Sequence, residues 1–316
     1  MAYRLKPGRQ ISHSVREIGT EQIDRVLARF SAKNGRETAV HEARKAMKRL
    51  RALLHLVKPA MPKGAFAANE ARVKMIARSL SGARDAQAML ETVRKLETLD
   101  GAANVAPVAA ALRTHLQAKC AEAERGLNGS GATQLRKLLK DAKGAFAELS
   151  LEQDDFEVVA ATLEKDYRKA RRAFSRAYRL GEDEEFHEWR KYVQRHWRQL
   201  LLVAPSWPKA IRPHVALARN LSEVLGEDHD LSVLAGIVDT QRDELGTLDE
   251  IEAYISLCQT RQGELRKMAH DLGGRLLAEK PGSIARRISA YWATAENFDD
   301  DEASADRSGN VIALTR

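Results

Sequence analysis

The chain has little cysteine, few aromatics and no long apolar stretch. Its only cysteines, Cys120 and Cys258, lie far apart in 316 residues. Without CxxC spacing there is no sequence-evident zinc site, and such sparse cysteine points to a reducing compartment. Aromatics make up 5% of the residues, β-branched runs are few, and apolar/polar alternation is almost absent, which argues against a core of sheets. No apolar run approaches the roughly 18 residues of a membrane span. The opening MAYRLKPGRQ leads into no apolar h-region, so no signal peptide and no membrane association are expected. The expected location is the cytoplasm.

What is abundant is Ala, Leu, Arg, Lys and Glu in helical periodicity. That periodicity predicts helices over 10–32, 38–57, 65–95, 105–125, 132–149, 154–180, 184–203, 210–226, 229–243, 247–279 and 281–293. Pro and Gly mark breaks such as KPAMPKG, NGSG and APSWP. The fold class is therefore all-α, built from helical bundles. Lys and Arg number 52 against 44 Asp and Glu, a formal charge of +8. Residues 296–316 hold six acids and two bases, so removing their −4 leaves +12 on residues 1–295. The acidic run at 296–316 reads as a disordered tail. An excess of this size permits an anionic partner without requiring one.

The chain also reads twice. VHEARKAMKRLRALL at 40–54 aligns with FHEWRKYVQRHWRQL at 186–200. His41, Glu42, Arg44, Lys45, Arg49 and Leu54 match His187, Glu188, Arg190, Lys191, Arg195 and Leu200, all 146 positions later. Pro59-x-x-Pro62-Lys63 matches Pro205-x-x-Pro208-Lys209 at the same offset, and Leu80 and Asp85 match Leu225 and Asp230 at 145. Two similar halves follow, about 5–128 and about 150–295, joined near GLNGSGAT. Each should be a bundle of about four helices, since one such helix cannot bury its face alone.

At about 100° per residue, Arg44, Lys45, Lys48, Arg49, Arg51, Ala52 and His55 fall within about 80° of His41, and Val40, Ala43, Met47, Leu50 and Leu54 oppose them. In the second copy His187, Arg190, Lys191, Gln194, Arg195 and Arg198 form the cationic stripe. His196 falls among apolar residues and reads as a hydrogen-bonded core histidine. The helix before it adds Lys165, Arg168, Arg171, Arg172, Arg176 and Arg179 on one side. Solvated faces normally intersperse Glu, because opposite charges four apart stabilise a helix by ~0.2–0.5 kcal/mol and like charges destabilise it similarly. Acids are missing from these stripes, which selection for anion binding explains better than solubility does. His41 to Arg49 spans about 12 Å of helix, a track several phosphates long. A histidine beside bound phosphate is pushed towards its charged form, so binding is expected to strengthen as pH falls from about 8 to 6.

The duplicated His-x-x-Arg-Lys-x-x-Lys/Gln-Arg pattern, followed about 40 residues on by Leu-x-x-x-Arg/His-Asp, resembles the CHAD family (conserved histidine α-helical domain) over roughly residues 5–295. The resemblance implies two tandem four-helix bundles, related by a pseudo-twofold, around a basic central cavity. It implies non-catalytic binding of inorganic polyphosphate, with no cofactor and no metal. The positions it carries over are His41, Arg44, Lys45, Lys48, Arg49, His187, Arg190, Lys191, Arg195 and Arg198. Arg51 joins the stripe by helical angle. Gln194 replaces a usual base and Trp197 stands where the first half has Arg51, so Arg171, Arg172 and Arg176 are expected to supplement the second half. No E-x-E-x-K signature of the triphosphatase domain attached to some CHAD proteins occurs, which implies a stand-alone module. Sulfate or phosphate ions would suit the same site in a crystal, and association with polyphosphate granules follows for the protein in the cell.

Two other readings compete. Cationic helices also neutralise nucleic-acid phosphates non-specifically, although Phe174, Trp189 and Tyr192 point to the core rather than to bases. A phosphohydrolase, or a phosphotransferase using His41 or His187 as nucleophile, would need clustered carboxylates for Mg²⁺. The only acid-and-His cluster, EDHD at 227–230, reads instead as a cap or an ion pair between helices. GLNGSGAT has Ala132 where a phosphate loop needs Lys and no strand before it.

Overall fold

The computed structural model describes residues 3–31, 36–126 and 129–308. All of their regular elements are helices: α1 (Ile11–Ser31), α2 (Arg36–Val57), α3 (Ala65–Ser79), α4 (Ser81–Leu96), α5 (Ala106–Gly126), α6 (Ser130–Ala147), α7 (Phe156–Leu180), α8 (Asp183–Val203), α9 (Pro208–Thr240), α10 (Arg242–Leu245), α11 (Leu248–Leu276) and α12 (Pro281–Ser308). Among the described residues no helix is long and apolar enough to cross a membrane. The acidic run expected to be disordered begins inside α12, and residues 309–316 lie outside the described residues.

The element order repeats along the chain. α1 and α2 correspond to α7 and α8, and the 3₁₀ turns Lys58–Ala60 and Ala204–Ser206 follow them at the same offset of 146. The α3–α4 pair then corresponds to the single α9, α5 to α11, and α6 to α12. Each half thus holds more helices than the four the sequence suggests. In the first half α1, α2, α3 and α6 pack in a closed ring, and α4 and α5 extend from it as a hairpin. In the second half α7 lies between α8 and α12, α8 packs on α9, and α9 on α11.

The ends of the helices follow local chemistry. Asp155 caps α7, its Oδ1 accepting from the Glu157 and Val158 amides at 3.0 and 3.3 Å, which satisfies donors the first turn leaves open. Gly181 ends the same helix at φ 75°, a conformation that favours glycine. Close packing also depends on one absent side chain. A Cβ on Gly273 would lie 2.7 Å from the Trp189 ring, so glycine there lets α11 close on α8.

The halves meet along α2, which packs on α7 and α8, along α4 on α9, and along α5 on α10 and α11. The N-terminal segment ties them further. The Leu5 amide donates to the Leu202 carbonyl at 2.8 Å, and Leu5 is fully buried. α2 buries Val40, Ala43, Met47, Leu50, Leu53 and Leu54. It also buries Ala52, which its helical angle assigns to the cationic face. With a second helical layer packed against it, α2 buries a wider arc than a surface helix does.

Candidate functional site

Between the halves lies a cavity of about 1450 Å³. α2 contributes His41, Arg44, Lys45, Lys48 and Arg49 to its wall, and α8 contributes Arg190, Gln194, Trp197 and Arg198. Asp85 comes from α4, Lys119 and Glu122 from α5, and Arg219, Glu223, His229 and Asp230 from α9. Eight Lys or Arg therefore face four carboxylates among the described residues. The rest of the wall is apolar, with Met89, Leu116, Leu201, Val215, Val233 and Ile237. A low-dielectric wall beside a cationic one focuses the field into the space between them.

Arg44 is held as a fork. Its Nη2 donates to Asp85 Oδ1 at 2.8 Å and its Nη1 to the Leu80 carbonyl at 3.4 Å. That carbonyl sits at the break between α3 and α4, where Leu80 has φ −107° and ψ 0° and the Ser79 hydroxyl donates back to the Ile76 carbonyl. Serine competes with the helix for backbone partners in this way. Arg190, the counterpart in α8, lies alongside Gly226 and makes no hydrogen bond or ion pair among the described residues; its buried Nε has no partner. Burial pulls its pKa down, against the pull of Asp230 and Asp228.

Lys48 makes no ion pair among the described residues. It reaches solvent through the cavity, yet protein atoms enclose it on most sides. That desolvation, reinforced by Arg190, Arg198 and Arg44 and opposed by Asp230, pushes its pKa down to about 8. Arg198 is buried, donates to the Gln194 carbonyl at 2.7 Å and stacks on Trp197 at 4.6 Å. Arg49 donates to Gln22 Oε1 at 3.2 Å and lies 5.5 Å from the Tyr3 ring, whose hydroxyl donates to the Arg49 carbonyl. Lys45 pairs loosely with Glu42 at 3.4 Å.

Of the residues singled out in the sequence, the structure brings His41, Arg44, Lys45, Lys48, Arg49, Arg190 and Arg198 together on this cavity. The others lie off it. Arg51 turns to Glu70 on α3 at 3.6 Å. Lys191 pairs with Glu188 and Glu184 on its own helix, and Arg195 with the buried Asp166 at 3.5 Å. His187 packs its ring on His229, with centroids 4.0 Å apart. Burial and the neighbouring Lys191 and Arg190 hold the His187 pKa below its usual value, and burial with His187 pushes His229 down to about 4. Arg176 pairs with Glu185 at 2.5 Å, and Arg171 and Arg172 sit on the same outward side of α7.

His196 is buried as expected, but among the described residues neither ring nitrogen has a hydrogen-bond partner, and burial pushes its pKa down to about 4. The EDHD run forms ion pairs between helices. Glu227 joins Arg261 and Lys95, and Asp228 joins Arg266. Among the described residues no three His, Cys, Asp or Glu side chains cluster as metal ligands do. Lys119 and Arg219, with the neutral His229, are wall residues that the stripes on the paired helices do not include. Only their convergence from α5 and α9 marks them.

A family model of the CHAD domain matches residues 17–239. The structure is similar to PptA from Streptomyces chartreusis, with a TM-score of 0.63 at 15% identity, covering 85% of this chain and all of that one. It is also similar to the CHAD domain from the plant Ricinus communis, with a TM-score of 0.64 at 18% identity, covering 88% of this chain and 95% of that one. No curated protein sequence matches the chain.

Proposed function

The chain belongs to the CHAD domain family, and from that membership and the cavity together we propose that it binds inorganic polyphosphate without chemical turnover. The family is associated in general with polyphosphate binding. The observation that carries the reading for this chain is the wall itself: eight Lys or Arg against four acids in one cavity, with Lys48 and Arg190 left without ion-pair partners among the described residues. A linear phosphate chain carries one negative charge per unit at a spacing that neighbouring turns of α2 can follow. Arg44, Arg49, Arg190 and Arg198 offer paired N–H donors to phosphate oxygens, and Lys45 and Lys48 offer mobile point charges. The apolar stretches of the wall lower the local dielectric and so strengthen these contacts.

A space of this volume admits a single phosphate chain rather than a double helix, so nucleic acid would be confined to outer surfaces. The deciding experiment is competition at equal phosphate concentration. Long-chain polyphosphate is expected to displace labelled duplex DNA or RNA completely, with log K falling steeply and linearly with log salt. Displacement in the opposite direction overturns the assignment. Incubation with polyphosphate and Mg²⁺ is expected to release no orthophosphate; release with turnover would make the protein an enzyme.

A further inference from the structure

We propose that the outer face of α7 is a second polyanion track, separate from the cavity, through which one long phosphate chain holds more than one protein molecule. Lys165, Arg168, Arg172, Arg176 and Arg179 are all exposed and recur at steps of three or four residues, so they stand in one row about 21 Å long. None of them lines the cavity. The inner face of the same helix buries Val159, Leu163, Tyr167, Ala170 and Ala177 against its neighbours. The row is therefore presented by a rigid element.

The row is also short of acids. Arg168 pairs with Glu164 and Arg176 with Glu185, but Lys165, Arg172 and Arg179 have no ion pair among the described residues. Arg25 and Arg219, exposed on other helices, each pair with an acid four residues away. Like charges a turn apart repel, so keeping this row unneutralised carries a standing cost that an anionic partner would relieve. A membrane surface fits poorly. A helix lying on lipid needs its apolar face free, and α7 has buried its own; Leu180 at the end of the helix is its only exposed large apolar residue. A narrow cationic strip on one helix matches one linear polyanion better than the two backbones of a duplex.

This proposal rests on the polyphosphate reading of the cavity, and the test keeps the two apart. The full chain and the variant Lys165→Glu/Arg172→Glu/Arg179→Glu are titrated with sodium tripolyphosphate and with long-chain sodium polyphosphate. Protein molecules per chain are counted by light scattering, with circular dichroism as the control for folding; Arg172→Ala/Arg179→Ala serves if the first variant unfolds. Tripolyphosphate is expected to bind both proteins alike. On the long chain the variant should assemble in smaller numbers, and its log K against log salt should be shallower by roughly two. Equal stoichiometry and equal salt slopes for variant and parent overturn the second track. So does displacement of long-chain polyphosphate from the parent, but not the variant, by duplex DNA. Failure of the parent to bind either phosphate overturns the cavity reading instead.

Discussion

α2 and α8 carry the same motif and use it differently. All five motif residues of α2, His41, Arg44, Lys45, Lys48 and Arg49, face the cavity. Of their α8 counterparts only Arg190 and the uncharged Gln194 do. His187 rests on His229, Lys191 on Glu188, and Arg195 on Asp166. The α8 helix recovers a charge one turn further on, where Arg198 stands at the position of the buried Ala52 in α2. A repeated motif therefore fixes the backbone frame, while nearby carboxylates decide which of its cations remain available. Asp166 and Glu188 withdraw two of them in α8. In α2 only Arg44 is held by a strong partner, and that partner, Asp85, is itself exposed at 62%.

The comparison is broken most directly by equivalent double variants. Lys45→Ala/Arg49→Ala strips two cations from the α2 wall and should weaken polyphosphate binding by ~10–100-fold for each charge-assisted hydrogen bond to phosphate that is removed. The matching Lys191→Ala/Arg195→Ala should change affinity by about twofold at most, since neither side chain reaches the cavity and distant charges are screened. It should instead lower stability by about 1–3 kcal/mol, because Arg195 leaves Asp166 buried with Gln199 as its remaining partner. Isothermal titration and urea melts measure the two effects. Equal reductions in affinity would mean that both helices use the motif in the same way. Arg190→Ala sharpens the point, and a weakening of about tenfold or more is expected from that one α8 residue.

Much of this is legible in the sequence, and the failures have physical causes. Helical periodicity yields the all-α class, and the offset of 146 yields the order of elements. The same periodicity puts a break in the wrong half. Gly226-Glu227 looks like a boundary, yet α9 runs through it because packing against α8 and α11 outweighs the weak helix preference of one glycine. The real break falls at Leu80, where Ser79 turns its hydroxyl to the backbone. Angular counting finds the α2 stripe because every residue in it shares one environment. It cannot separate Arg190 from Lys191 or Arg195, because their partners Glu188 and Asp166 lie on either side of the stripe or on another helix. The α7 row is recognisable as cationic, but not as lying outside the cavity, since the outward direction of that face depends on how α7 docks on α8 and α12.

A smaller effect distinguishes the helices by pH. Gln194 stands in α8 where α2 has Lys48, and Lys48 has its pKa pushed down to about 8. In the free protein Lys48 is charged at pH 7 and largely neutral at pH 9. Bound phosphate favours the charged form, so affinity should fall as pH rises through 8, by less than tenfold for each pH unit. Lys48→Arg should flatten the profile between pH 7 and 9 while keeping tight binding, and Lys48→Gln, which copies α8, should flatten it at weaker affinity. A profile in Lys48→Arg as steep as in the parent would move the titration to another group. His187, which lies off the cavity, should leave the profile unchanged when replaced by Gln.

The smallest effect concerns the inner faces. His196 occupies in α8 the position that Leu50 occupies in α2, and both are buried. Among the described residues the imidazole has no partner for either nitrogen, which costs about 1 kcal/mol or more. Its pKa is near 4 in the folded chain against ~6.5 unfolded. Below 6.5 the unfolded state takes up the proton first, so stability falls as the pH drops towards 4, by at most about 3 kcal/mol from this group. His196→Leu copies the α2 residue at similar volume. Urea melts should show it as stable as the parent or more so, by about 1 kcal/mol at pH 7.5, with a gap that widens at pH 5. A gap that stays constant with pH would mean that the ring is charged or solvated in the folded protein, and that the two helices differ on their inner faces as well as their outer ones.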